Sequence, residues 1–215
     1  MTALIGVYGA AGCGRGVMPL LRAQVQGSAT RLVFIDDGAQ PAMINGHDVV
    51  DWPGFLALPA DSRAVTLAIA APALREKLAL RCAAAGVPLF EARAANVVQM
   101  DDVILGDGAC LSPFVTLTSN IRIGRAFHAN IGSYVEHDCV IGDFVTFAPG
   151  VKCNGNVVIE DHAYIGTGAV IRQGQPGKPL TIGRGAVVGM GAVVTKDVPA
   201  GATVVGNPAR LPIKT

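Results

Sequence analysis

The chain of 215 residues carries only four histidines, His47, His128, His137 and His162. One of them lies between two carboxylates, in the run Val135-Glu136-His137-Asp138-Cys139. An imidazole titrates near neutrality, so it can take a proton from a nucleophile and pass it on. A second concentration of chemistry follows the first apolar run, at Gly9-Ala-Ala-Gly12-Cys13-Gly14-Arg-Gly16. A glycine turn of this kind brings backbone N–H groups to a phosphate at the start of a helix. Asp36 follows Gly14 by 22 residues, a spacing at which an acid can bind a ribose hydroxyl. Because Gly9, Gly12 and Gly14 are spaced GxxGxG rather than GxGxxG, three readings stay open: a nicotinamide cofactor, another phosphate-bearing ligand, and a structural turn. The five cysteines, Cys13, Cys82, Cys110, Cys139 and Cys153, form no CxxC pair. That favours small buried thiols in a reducing compartment over a disulfide framework or a zinc cluster.

The elements that position these residues change character along the chain. Residues 1–100 alternate strands and helices: Ala3–Tyr8, Arg31–Ile35, Ala64–Ile69 and Val87–Phe90 read as strands, and Val17–Val25 and Pro72–Ala85 as helices. That alternation predicts a small Rossmann-like unit with a parallel sheet. Residues 101–215 follow a period of six. Stepping by six from Leu105 gives Leu111, Leu117, Ile123, Ala129, Val135, Ile141, Phe147, Cys153, Ile159, Ile165 and Ile171, all apolar. The frame slips by five residues, Gly177 to Thr181 in this register, and resumes at Ile182, Val188 and Val194. A fixed short period marks a parallel β-helix, with three hexads to each triangular coil. Residues 105–199 make about five coils on this count, a prism roughly 24 Å tall. The expected fold class is therefore α/β followed by all-β.

Composition narrows the function classes. Hydrophobic residues make up 51%, aromatic 5% and charged 15%, and 17 Lys+Arg against 16 Asp+Glu leave a formal charge of +1. This is too apolar for a disordered chain and lacks the basic excess of a nucleic-acid binder. The longest apolar run, Ala64–Leu74, contains Pro72 and falls short of the roughly 18 residues a membrane span requires. The N-terminus shows no charged leader region, and a soluble, cytoplasmic protein is expected. Low aromatic content suits a narrow prism, which rings would overpack.

The hexads Ile141-Gly-Asp-Phe-Val-Thr, Ile165-Gly-Thr-Gly-Ala-Val and Val188-Gly-Met-Gly-Ala-Val, and the ending Val205-Gly-Asn-Pro-Ala-Arg210, resemble those of the hexapeptide-repeat acyltransferases. Together with GAAGCG, FIDD and EHDCVIGDF, they make the whole chain similar to nucleotide-sugar N-acetyltransferases. Those enzymes acetylate a 4-amino group on a UDP- or GDP-linked dideoxy sugar. Sialic acid O-acetyltransferases share the layout. The resemblance implies a left-handed β-helix, a homotrimer, no metal, acetyl-CoA in clefts between subunits, and a nucleotide sugar on the N-terminal domain. It implies that His137 is the general base, taking the amine proton while backbone N–H groups hold the oxyanion.

Asp138 would orient that base, with Glu136 as the competing partner. Strand alternation sends neighbouring side chains to opposite faces, so an Asp138 contact requires a corner at 137–138. Asn130 matches a polar position near the family's site. Thr146, Gly155 and Thr167 would line the acetyl-CoA groove, while Gly12, Cys13, Gly14, Asp36 and Asp37 would face the nucleotide sugar. His128 and His162 are expected to be exposed. The segment Gln173–Thr181 reads either as a loop walling the groove or as a tolerated insertion. Two rival functions remain: sialic acid O-acetylation, and a non-catalytic β-helix scaffold that senses a nucleotide sugar.

Overall fold

The computed structural model describes residues 2–38 and 41–212. Its N-terminal sheet contains β1 (Ala3–Tyr8), β2 (Thr30–Ile35), β3 (Met43–Ile44), β4 (His47–Val50) and β5 (Ser62–Leu67), in the order β3-β4-β2-β1-β5. The β1–β2, β1–β5 and β2–β4 pairs are parallel, and β3–β4 is antiparallel. Alternation along β1 divides the core into two clusters. Ile5 and Val7 pack with Val17, Met18 and Leu21 of α1 (Gly12–Gln24). Leu4 and Tyr8 pack with Trp52 and Phe55 of α2 (Trp52–Ala57) and Leu78 of α3 (Pro72–Ala84).

Helix α1 begins five residues before the expected Val17, inside the glycine run. The Val87–Phe90 strand reduces to one parallel bridge, Val65 with Leu89. The β3–β4 hairpin and α2 were not anticipated. Their signals are Asn45-Gly46, both left-handed at φ 49° and 79°, and Asp51, which caps α2 by accepting from Gly54 N at 2.8 Å. An Asn-Gly pair favours such a hairpin turn because both residues tolerate positive φ.

From Ala92 to Val204 the chain coils as a left-handed β-helix, with parallel sheets of seven, six and five strands forming its three faces. Every index residue of the six-residue period closes a strand, and ladder partners stand 18 residues apart, as in Leu117, Val135, Cys153 and Ile171. The first face carries Thr146–Phe147, the second Tyr134–Val135 and the third Val140–Ile141. Two rungs, Ala92–Arg93 and Val98–Gln99, precede residue 101. Of the aromatic rings, Phe127 and Phe147 enter the core cluster, meeting edge to face at 5.2 Å.

A left-handed residue recurs every six positions from Asp102 to Gly168. The glycines that follow the index have a different cause. A Cβ on Gly124 or Gly142 would run into the backbone of the coil above. The five extra residues are Gln175–Pro179 rather than Gly177–Thr181. Gly174 N still donates to Gly155 O, and Leu180 N to Asn156 O, so the coil is in register on both sides.

One buried cation joins the two units. Arg75 of α3 is fully buried, and its guanidinium donates to five carbonyls: Ile69, Ala70, Ala126, Phe144 and Val145, at 2.6–3.2 Å. Burial lowers its pKa to about 10, which leaves it charged at neutral pH. Ala126 and Phe144 are left-handed corner residues, so the clamp grips the prism at the turn between its third and first faces.

Candidate active site

His137 follows Val135 by two residues and stands at the corner between the second and third faces. Asp138 adopts φ 58°. That left-handed step is the corner the pairing requires, and it turns both side chains to the same side. His137 Nδ1 lies 2.8 Å from Asp138 Oδ2. With the carboxylate as acceptor, Nδ1 carries the hydrogen and Nε2 keeps its lone pair. Both groups are about half exposed, open to a ligand and partly screened by water. Glu136 lies beside them, half-buried.

The same corner continues through later coils. Ser119, His137, Gly155, Gln173 and Lys196 each follow an index residue by two and stack in one column. At its far end a cavity of about 580 Å³ is lined by Arg172, Gly174, Lys178, Lys196 and Asp197, among others. The Gln175–Pro179 insertion forms one wall. Three cations and one anion make this recess electropositive, and Asp197 is partly committed to Thr181 N at 2.9 Å. A column about two coils long, roughly 10 Å at the strand spacing, therefore links a general base to a basic pocket.

Other candidates lie elsewhere. Thr146 is buried, and its hydroxyl donates to Ala70 O at 2.9 Å, which puts it in the junction between the units. Thr167 is exposed and Asn130 half-buried, both at the corner between the first and second faces. Within one chain neither joins His137.

In the N-terminal unit, Gly12 and Cys13 open α1, and Gly12 has free space above it. Gly14 is buried, and any side chain there would strike the Gly9 carbonyl, so it serves helix packing. Asp36 accepts from Ala10 N and Gly38 N, both at 3.0 Å, which ties the end of β2 to the glycine turn. Asp37 points toward α2 and α3, accepting from Tyr8 Oη at 2.6 Å, Arg81 at 2.5 Å and Trp52 N at 3.0 Å. Burial pushes its carboxyl up, and the hydrogen bonds from Tyr8, Trp52 and Arg81 outweigh that and hold it low. Cys13 is partly buried. Its thiol is pushed up by burial, and nearby Arg75 opposes the shift.

His128 and His162 correct the expectation of exposure, because the α/β unit covers them. His128 is 6% exposed with Nε2 unpartnered. Burial, followed by the charge of Arg75, lowers its pKa well below the ordinary value. His162 Nε2 meets Glu76 at 2.9 Å, and its ring stacks on Phe144. Among the described residues no group of three or more His, Cys, Asp or Glu side chains gathers to hold a metal.

No protein-family model matches the chain. Over 210 residues, covering 96% of this chain and 95% of the relative, it is 51% identical to the GDP-perosamine N-acetyltransferase of Escherichia coli O157:H7. The chain belongs to the GDP-perosamine N-acetyltransferase family of hexapeptide-repeat acetyltransferases. Two solved structures extend the likeness to three dimensions. WeeI from Acinetobacter baumannii AYE matches with a TM-score of 0.95 and 59% identity, over 98% of this chain and 100% of that one. PerB from Caulobacter crescentus, in complex with CoA and GDP-perosamine, matches with a TM-score of 0.84 and 28% identity, over 97% and 96% of the two chains. The family resemblance read from the hexads and EHDCVIGDF thus holds along the whole chain.

Proposed function

We propose that the chain transfers the acetyl group of acetyl-CoA to the C4 amine of GDP-perosamine, with His137 as general base. The observation that carries this reading is the His137–Asp138 pair at 2.8 Å on a corner that leads to a basic recess. Acetyl-CoA supplies an activated acyl group as a thioester. An amine becomes a nucleophile only without its proton, and His137 Nε2 is the free acceptor for that proton. As Nε2 gains the proton the ring becomes a cation, and Asp138 at Nδ1 stabilises it. Arg172, Lys178 and Lys196 suit the phosphates of CoA.

The glycine turn at Gly12–Cys13, with Asp36 beside it, is the proposed seat of the nucleotide sugar. In one chain that unit packs on the first face and on the corner between the third and first faces, whereas His137 sits on the opposite side of the third face. A homotrimer, which brings one chain's α/β unit near another chain's His137 corner, supplies the complete site. The reaction belongs in the cytoplasm, where acetyl-CoA and nucleotide sugars are available. Among the described residues no helix is long and apolar enough to cross a membrane.

A thiol-release assay tests the reading with three acceptors: GDP-perosamine, a UDP-linked 4-amino sugar and a GDP sugar with a 4-hydroxyl. Release is expected to be fastest with GDP-perosamine. Equal or faster release with the hydroxyl sugar would replace it with O-acetylation, and acceptor binding without release would leave a scaffold.

A further inference from the structure

The positions two residues after each index are where the corners project side chains. From Asp107 to Lys196 they read Asp, Pro, Ser, Arg, Ile, His, Asp, Pro, Gly, Asp, Thr, Gln, Arg, Met, Lys. Gly155 alone is bare. Its backbone does not require glycine, because its φ lies outside the left-handed region. Its carbonyl is held in the coil, accepting from Gly174 N at 3.0 Å. What excludes a side chain is the imidazole one coil below. A Cβ at 155 would stand 2.6 Å from both Cε1 and Nε2 of His137 and 3.0 Å from Nδ1, and these are its three nearest atoms.

We propose that Gly155 is a positioning residue for the reaction: its bare Cα is the seat on which the His137 ring lies. Asp138 fixes the ring at Nδ1, and the seat fixes the plane in which Nε2 points. This role rests on the reading of His137 as the base and differs from lining a cosubstrate groove. Carbon atoms in contact need about 3.5–4.0 Å, so a methyl group at 155 would displace the ring by about 1 Å. His137 is 56% exposed, so the ring yields into solvent and the coil does not strain. Gly155→Ala should therefore fold normally and misaim the base, and an error of about 1 Å in such geometry costs on the order of 100-fold in rate.

The test is kinetics with GDP-perosamine and acetyl-CoA calorimetry on Gly155→Ala, His137→Asn and the double variant. Gly155→Ala is expected to keep its melting temperature and acetyl-CoA affinity and to lose kcat by about 100-fold. In the His137→Asn background the same substitution is expected to cost nothing further. Near-native kcat in Gly155→Ala would overturn the proposal. So would loss of folding, a fall in acetyl-CoA affinity that matches the loss of rate, or an equal loss in the His137→Asn background. Near-native kcat in His137→Asn alone would instead remove the base assignment, a distinct result that takes the seat with it.

Discussion

The two corners flanking the third face come from the same six-residue repeat and use their charges differently. At the corner between the third and first faces, Arg125, Asp143, Asp161 and Arg184 stack two residues after successive indices. Asp143 accepts from Arg125 N at 2.8 Å and pairs with the Arg125 guanidinium at 2.7 Å, while Asp161 accepts from Asp143 N at 2.8 Å and pairs with Arg184 at 2.7 Å. Burial pushes the Asp143 carboxyl up, but the Arg125 backbone N–H and guanidinium outweigh it and hold it below the usual range. Here the charges are answered within the chain, and the α/β unit is clamped alongside by Arg75. At the corner between the second and third faces, His137 pairs with Asp138 and leaves Nε2 free, and Arg172, Lys178 and Lys196 face a cavity. Charge two residues after an index therefore does not identify a site. What distinguishes the second corner is an exposed base with a free lone pair, on the same column as a basic recess.

Outside the base itself, the largest effect is expected at Arg75. Arg75→Met strands the carbonyls of Ile69, Ala126 and Phe144, while Ala70 O keeps the Thr146 hydroxyl and Val145 O keeps His128 N. It should cost about 3–5 kcal/mol, seen as a lower denaturant midpoint. An unchanged midpoint would show that the clamp is decorative. Asp138→Asn removes the charge that orients the ring, and Asn tolerates the left-handed corner. The half-exposed setting moderates the loss, so kcat should fall about 10- to 100-fold with acetyl-CoA affinity unchanged. Asp143→Ala at the other corner should do the reverse, costing about 1–2 kcal/mol of stability with kcat within about twofold of native. A large kcat loss there would erase the distinction between the corners.

The smallest effect concerns pH. His128 is neutral in the fold because burial and Arg75 depress its pKa below the unfolded value. As pH falls below about 6.5, the unfolded chain takes up a proton that the folded chain refuses, and stability drops. His128→Gln should flatten the fall in melting temperature between about pH 6.5 and 5. An unchanged slope would place the acid sensitivity elsewhere.

The prism was legible in the sequence because its cause is local and repeated. Each index residue needs only the coils above and below, so a period of six is enough to place it. The hairpin at Asn45-Gly46 and the cap at Asp51 had readable signals that short apolar runs overshadowed. Cys110, His128 and Thr146 could not be placed correctly from their period. Each precedes an index and points outward from the first face, yet all three are buried, because a second domain covers them and the repeat does not encode that contact. The Asp138 corner was invisible to strand alternation, since one left-handed residue reverses the expected direction. Asp37 was expected to face the nucleotide sugar, yet its carboxylate is engaged by Tyr8, Arg81 and Trp52. Gly155 did leave a trace, as the one bare position in a series of side chains.

The central claim is that the corner holding His137 is where the acetyl group is transferred. Its most direct test pairs single-turnover kinetics with calorimetry on His137→Asn, using acetyl-CoA and GDP-perosamine. Loss of a general base predicts a rate lower by about 10²- to 10⁴-fold, with both ligands bound at native affinity and the melting temperature preserved. Near-native turnover in that variant would contradict the claim and send the search for the proton acceptor to another corner of the prism.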